Sequence, residues 1–289
     1  MLVGMGGSAV VVAPITGDDV PEVAAYLYRA LNDRLSADQW ARSMVPPWHC
    51  DAPNHGFHLR DDERVVGAAL AFYADRTVAG RTRRVCNLGA WCVDDAYQAQ
   101  GLRLLRALLG QRDHDFTDLS PSGNVVALNE RLKFRHLDTA TRVVPNLPLP
   151  PLGVRVTTDH DGIASQLGGR ERQIFDDHRA APAARHVVLD VGGRPLYVLH
   201  RKDRRKGLPV FASLLHVSDP ALLPRAWPRL SSHLLAQGAL ATLVEERVAG
   251  WSPPGARSLS RPRPKMFRGD DLEAEDVDYL YSELTCVAW

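Results

Sequence analysis

The stretch that most constrains this chain lies between residues 83 and 109. Arg83–Val93 reads as an apolar strand, Leu102–Leu109 repeats leucine at helical spacing, and only a short turn ending at Gly101 separates them. A strand that passes so directly into a helix commits this part of the chain to α/β layering. A helix opened by such a turn has unpartnered N–H groups in its first turn and the positive end of its dipole facing outward, which suits a diphosphate. The turn therefore predicts a grip on a phosphorylated cofactor by Gln98, Ala99, Gln100, Gly101, Leu102 and Arg103, with Cys92 and Val93 ending the strand before it.

The flanking segments extend the pattern. Ala9–Ile15 alternates as a strand. Asp18, Asp19 and Pro21 open a helix to about Asn32, with Val20, Val23, Ala24, Leu27 and Leu31 at helical spacing, and Ser36 caps a second helix that ends before Pro46. Strands are expected at Gly56–Arg60, Arg64–Tyr73 and Arg83–Val93, the first two joined by the turn at Asp61, Asp62 and Glu63. After the leucine helix come a short strand at Phe116–Leu119, a helix opened by Ser120, Pro121 and Ser122 and running to Leu132, and a strand at Phe134–Val144.

The Val93–Arg103 stretch resembles the cofactor-binding motif of the GNAT acyltransferase superfamily. In that motif a strand-ending Val is followed by Arg or Gln, two residues, Gly, one residue, and Gly or Ala. Val93, Gln98 and Gly101 match, Tyr97 precedes Gln98 as is frequent in the family, and Arg103 stands where the last small residue is usual. A side chain there either turns away or adds a charged contact. The order of elements over roughly residues 9 to 145 is similar to the family's as well. The resemblance implies an α/β (α+β) fold with a mixed central sheet flanked by helices, acetyl-CoA as co-substrate, and transfer of acetyl to an amine or hydroxyl of a small acceptor. A backbone N–H near Cys92 or Val93 would bond the thioester carbonyl.

The helix Ser122–Leu132 resembles the family's second motif. Aligned on Phe134, Ser122 falls near the usual Asn, and Asn129 takes a place where a tyrosine often protonates the departing thiolate. Asn129 has no such proton to give, so either the thiolate leaves unassisted or the catalyst is weak or altered. Asp118 and His136 are the acid–base candidates, ahead of Asp94, Asp95 and His55. The segment between the first helices and the second strand borders the acceptor in the family, and here it carries Trp40, Trp48, His49 and His55.

Pro145–Pro151 is a stiff, extended run that makes a natural seam, so residues 1–145 and 152–289 are expected as two units. Beyond it the element order repeats: a strand at Val154–Thr157, a helix at Ile163–His178, a hairpin of Arg185–Val191 and Pro195–His200 about Gly192 and Gly193, a strand at Pro209–Val217, a helix at Pro220–Gln237 and a strand at Ala241–Val248. Where the first half has its glycine turn, the second has His216–Arg225 with prolines and no glycine, which cannot make an amide cradle. The second half reads as a degenerate GNAT-like unit or another α/β domain. The basic run Arg201–Lys206 is expected at a hairpin tip facing the acidic stretch Asp270–Asp278, and Trp251–Pro264 as a mobile loop or lid.

Charge is balanced, with 35 Lys+Arg against 34 Asp+Glu, which supplies no field for nucleic acid or anionic lipid. No apolar run reaches the length of a membrane span, and no basic residue precedes Arg29, so the cytoplasm is expected. Cys50, Cys86, Cys92 and Cys286 lack CxxC spacing and read as reduced thiols. His49, Cys50, His55 and His58 follow no common zinc spacing, so no metal is expected. Two non-catalytic readings stay open: a ligand sensor without turnover, and a sugar- or nucleotide-binding module using the basic run.

Overall fold

In the computed structural model, which describes residues 10–78, 80–150 and 153–288, the chain builds two seven-stranded mixed sheets. Ala9 and Pro151, at the ends of an expected strand and linker, lie outside the described residues. The first half runs β1 (Val11–Pro14), α1 (Val20–Ala30), α2 (Ala37–Met44), β2 (Gly56–Asp61), β3 (Arg64–Val78), β4 (Arg81–Val93), α3 (Gly101–Leu109), β5 (Asp115–Asp118), α4 (Gly123–Arg131), β6 (Arg135–His136) and β7 (Thr141–Pro145). The second runs β8 (Arg155–Thr157), α5 (His160–Gln166), α6 (Gly169–His178), β9 (Arg185–Val191), β10 (Arg194–Arg205), β11 (Leu208–Val217), α7 (Leu223–Ala236), β12 (Ala241–Glu245), α8 (Glu246–Ala249), β13 (Arg257–Ser258), β14 (Met266–Arg268) and α9 (Glu283–Cys286).

Local chemistry explains most of these elements. Ser36 accepts from Gln39 N–H at 3.2 Å while Gln39 Oε1 accepts from Ser36 N–H at 2.8 Å, a complete capping box on α2. Gly192 and Gly193 both have positive φ, which lets the β9–β10 turn follow the twist of its strands. Val65–Ala74 of β3 is buried on both faces, as a central strand covered on each side must be.

The sheets are not cut where the proline run suggests. The first has the order β1-β2-β3-β4-β5-β14-β6 and the second β13-β7-β12-β11-β10-β9-β8. Each half therefore gives its last strand to the other. β7 pairs antiparallel with β12 and β13, and β14 pairs antiparallel with β5 and β6. The single strand expected at Phe134–Val144 is thus two, in different sheets. The run after Pro145 is docked rather than free: Asn146 Nδ2 donates to Ala239 O at 2.8 Å, and Leu147 N–H donates to Ser231 Oγ at 2.8 Å.

On one face of the first sheet α3 and α4 cover Ala69, Ala71, Leu88 and Phe116; on the other lie α1, α2 and the C-terminal Cys286 and Val287. A third core joins the halves, packing Leu119, Leu137 and Phe267 of the first sheet against Phe175, Tyr197 and Leu215. The C-terminal segment is held by Arg201, 3% exposed, whose guanidinium donates to Leu284 O and Val287 O at 3.0 Å each. Arg201 is therefore interior, not part of a solvated tip. Asp278 pairs with Arg76 rather than with the basic run. The expected lid is also tied down, since β13 pairs with β7, and Arg263 bonds Asp203 at 2.8 Å.

Candidate active site

One extra residue in β4 makes the site. Ala71 faces Leu88, whereas Ala69 faces Trp91, so β4 fits one residue more than β3 into the same span. The surplus falls at Gly89 and Ala90. A Cβ on Gly89 would sit 2.6 Å from Phe72 Cε2, so the bulge tolerates glycine alone without movement of that ring. Pairing with β5 begins at Val85 and Asp115 and ends at Leu88 and Asp118. Beyond that point the strands part around a cavity of about 200 Å³, whose apolar wall includes Leu88, Ala90, Trp91, Leu105, Leu108 and Val125.

The bulged edge offers amides to that cavity. Asp94 N–H donates to Val66 O at 2.9 Å, which sets the alternation of the antiparallel ladder. By that alternation Cys92 shares its hydrogen bonds with β3, and Trp91 and Val93 turn their N–H groups toward the β5 side, where no strand pairs with them. Of the two residues expected to offer an N–H, Val93 is oriented for it and Cys92 is not; Trp91 is the additional one. The Cys92 thiol points toward Tyr26 and Ala30 O, on the opposite face from α3.

The glycine turn departs from expectation. Residues Asp95–Gln100 form a 3₁₀ helix that runs directly into α3, and Gly101 N–H donates to Gln98 O. The amide thought to be bare is occupied by the chain's own carbonyl, because tight i to i+3 bonding leads into the α-helix without a gap. Gln98 Nε2 caps back onto Asp95 at 3.0 Å, and Ala99 and Leu102 are exposed. Arg103 turns away from the turn, donating to Val10 O at 2.8 Å and Gln100 Oε1 at 3.0 Å. The cavity offers the apolar lining that an acyl-bearing arm needs, and at the turn the Gly101 N–H is already engaged by Gln98 O.

The cavity's polar wall is built from Asp118, Ser120, Ser122 and Asn129. Asn129, fully buried, donates to Asp118 Oδ2 at 2.8 Å, and its own Oδ1 has no partner among the described residues. Burial pushes the Asp118 carboxyl up to about 6, while the bonds from Asn129 and the Ser120 N–H act the other way. Ser120 Oγ donates to Glu283 Oε1 at 2.8 Å. Glu283 is 0% exposed, its N–H donates to Asn87 Oδ1 at 2.8 Å, and burial, then the nearby Asp118 charge, push its carboxyl up to about 8.

Other expected site residues are not gathered here. His136 is half-exposed on β6 and bonds Glu130 at 2.8 Å, because β14 lies between β6 and β5. Trp40 is buried against its own helices with Nε1 on Asn32 O, and Trp48 donates to Tyr73 O while packing on His178 and Tyr281. His49 is exposed, and His55 is half-buried, with burial lowering its basicity. None of the four lines the cavity. Ser120 and Glu283 were missed as functional groups. Ser120 stood in the sequence only as a helix opener, and nothing near Glu283 marks it.

The second half repeats the device and closes it. Leu199 faces His216 and His200 faces Leu214, leaving Leu215 surplus in β11, and β11–β12 pairing ends at Ser213 and Leu243. The cavity at that point, lined by Leu215, Leu243 and Glu245, holds only about 30 Å³, and in the core of this half Trp227 of α7 meets Trp251 edge-on at 5.9 Å. Gly250, at φ 59°, lies so near Pro220 that a Cβ would be 3.0 Å from the proline's Cβ.

Known proteins share this fold. A GCN5-related N-acetyltransferase from Anabaena variabilis matches 90% of this chain and 72% of its own at TM-score 0.57 and 9% identity. One from Kribbella flavida matches 92% and 72% at 0.55 and 15%. The chain has the GNAT fold. A protein from Pyrococcus horikoshii proposed to be an acetyltransferase matches across both halves, 97% of this chain and 95% of its own, at TM-score 0.56 and 16% identity. No family model matches the chain, and no curated protein does.

Proposed function

We propose that the chain is a cytoplasmic acyltransferase that moves an acyl group, acetyl in the simplest case, from acyl-CoA to an amine or hydroxyl of a small molecule. The observation that carries this reading is the opening between β4 and β5, where Trp91 lines an apolar cavity and the N–H groups of Trp91 and Val93 turn to the side on which β5 no longer pairs. An extended amide-bearing arm can pair with such a strand edge, and the same N–H groups stabilise the oxyanion that forms when the thioester is attacked. Acyl-CoA is a second substrate here, and direct attack needs proximity and orientation above all. Asp118, on the cavity wall, is the candidate base. Four free cysteines suit a reducing compartment.

The closed turn at Gly101 favours a second reading, a ligand-sensing GNAT-like protein without turnover. Calorimetric titration with acetyl-CoA, followed by thiol release against a panel of primary amines and alcohols, separates the two. Binding with thiol release supports the transferase, and binding without release on any acceptor supports the sensor. No binding removes both.

A further inference from the structure

We propose that Glu283 is the proton reservoir of the cavity, acting through the hydroxyl of Ser120, so that the C-terminal segment completes the site of the first sheet. The inference rests on the transferase reading and names a proton path for it. Ser120 is in the cavity wall and in hydrogen-bond contact with Glu283 at 2.8 Å. Glu283 is wholly buried, and its second oxygen, Oε2, has no partner among the described residues. A buried carboxylate with one oxygen unsatisfied is costly, and a neutral carboxylic acid is the state such a place favours.

The surroundings agree. The titratable and charged groups that face Glu283 are Asp118 from β5, Arg201 from β10 and Cys286 from its own turn. Arg201 spends its hydrogen bonds on the carbonyls of Leu284 and Val287, so it fixes the segment without pairing the carboxyl. Asn87 holds the Glu283 backbone and is itself anchored to Thr117 Oγ1 at 3.0 Å. The carboxyl is therefore positioned from both ends and kept protonated at neutral pH, with burial as the main cause.

The proton balance closes without a further reactant. As the acceptor nitrogen bonds the thioester carbon, the carbon–sulfur bond breaks and its electron pair stays on sulfur. With Glu283 neutral, the 2.8 Å contact also serves in the opposite sense, the carboxylic O–H donating to Ser120 Oγ. In that arrangement Ser120 gives its hydroxyl proton to sulfur and takes the proton of Glu283. Asp118 takes the surplus proton from the acceptor nitrogen and, being the stronger acid, passes it on to Glu283, leaving amide, free thiol, neutral Glu283 and the Ser120 hydroxyl as they began. Asn129 stands where the family's tyrosine is usual and cannot serve, so the Ser120–Glu283 pair supplies the missing acid.

The test uses the full chain, acetyl-CoA, and the Ser120→Ala, Glu283→Gln and Glu283→Asp variants. Infrared spectra of the wild type are expected to show a neutral carboxyl band near pH 7 that fades with a midpoint of about 8 and is missing from Glu283→Gln. Acetyl-CoA is expected to shift that band in the wild type and leave it in place in Ser120→Ala. Thiol release at pH 7 is expected to fall at least about tenfold in Ser120→Ala and Glu283→Gln, with KM for acetyl-CoA little changed and partial recovery in Glu283→Asp. Ser120→Ala is a small change at a half-buried site and keeps the test open if Glu283→Gln does not fold. Absence of acetyl-CoA binding, or of thiol release by the wild type, overturns the transferase reading and this path with it. Binding and turnover with an unshifted band, or rates and pH profile unchanged in Ser120→Ala, overturn the path alone.

Discussion

The two halves carry the same strand bulge and differ in what stands on either side of it. In the first, the surplus at Gly89 and Ala90 opens β4 from β5 onto a cavity of about 200 Å³. In the second, the surplus at Leu215 coincides with the end of β11–β12 pairing, and the cavity beside it, lined by Leu215, Leu243, Glu245 and Lys265, holds only about 30 Å³. A splayed pair of strands is thus a feature of the architecture, and binding capacity belongs to the side chains at its mouth. The second half delivers the segment that carries Glu283.

The largest effect that can break this contrast is to close the open half. Val125→Trp, which fills the first cavity, is expected to abolish acetyl-CoA binding by calorimetry while circular dichroism stays unchanged. If the affinity survives, the cavity is not the site. In the closed half, Trp227→Ala removes a buried ring, 6% exposed, and is expected to lower stability by about 3–5 kcal/mol in denaturant unfolding with acetyl-CoA affinity unaltered. Weakened binding there would show that the two openings are coupled.

Gly89→Ala sharpens the account of the bulge. Its Cβ meets the Phe72 ring at 2.6 Å, so a loss of about 1–3 kcal/mol is expected in the same measurement, together with weaker binding. The corresponding change in the closed half, Gly250→Ala, places alanine at φ 59° and is expected to cost about 1–2 kcal/mol with no effect on binding.

A pH titration gives a smaller and separable signal. Burial raises the Glu283 carboxyl to about 8 in the folded chain, whereas in the unfolded chain it keeps the ordinary glutamate value of 4.5. Between those values the native state binds more protons, so this group makes stability fall as pH rises, and protonation on acidification restores it. Asp118 acts in the same sense between 3.8 and about 6. Unfolding of Glu283→Gln followed from pH 5 to 9 is expected to show a flatter profile than the wild type. An identical slope would mean that Glu283 is not neutral in the folded protein.

How much was legible follows the range of the interactions. The α2 cap at Ser36, the Gly192–Gly193 turn and the two-fold recurrence of the element order depend on neighbours a few residues apart, and the sequence displays them. The turn at Gly101 was misread because glycine permits an open loop without requiring one, and 3₁₀ bonding from Gln98 closed it. Trp40 and Trp48 misled because an aromatic ring in a surface segment and one buried against its own helix look alike until packing is known.

The chain's own residues determine its alternation of strands and helices, its two related halves and the α/β class, since periodicity and capping act locally. Tertiary structure decided which sheet receives β7 and β14, because two short strands of similar character compete for equivalent edges and only the packed halves choose between them. It also decided the site's acid, bringing Glu283 to Ser120 across a sequence separation of 163 residues. Nothing local records such a contact. Its effect on the carboxyl comes from burial, which exists only once both halves have folded.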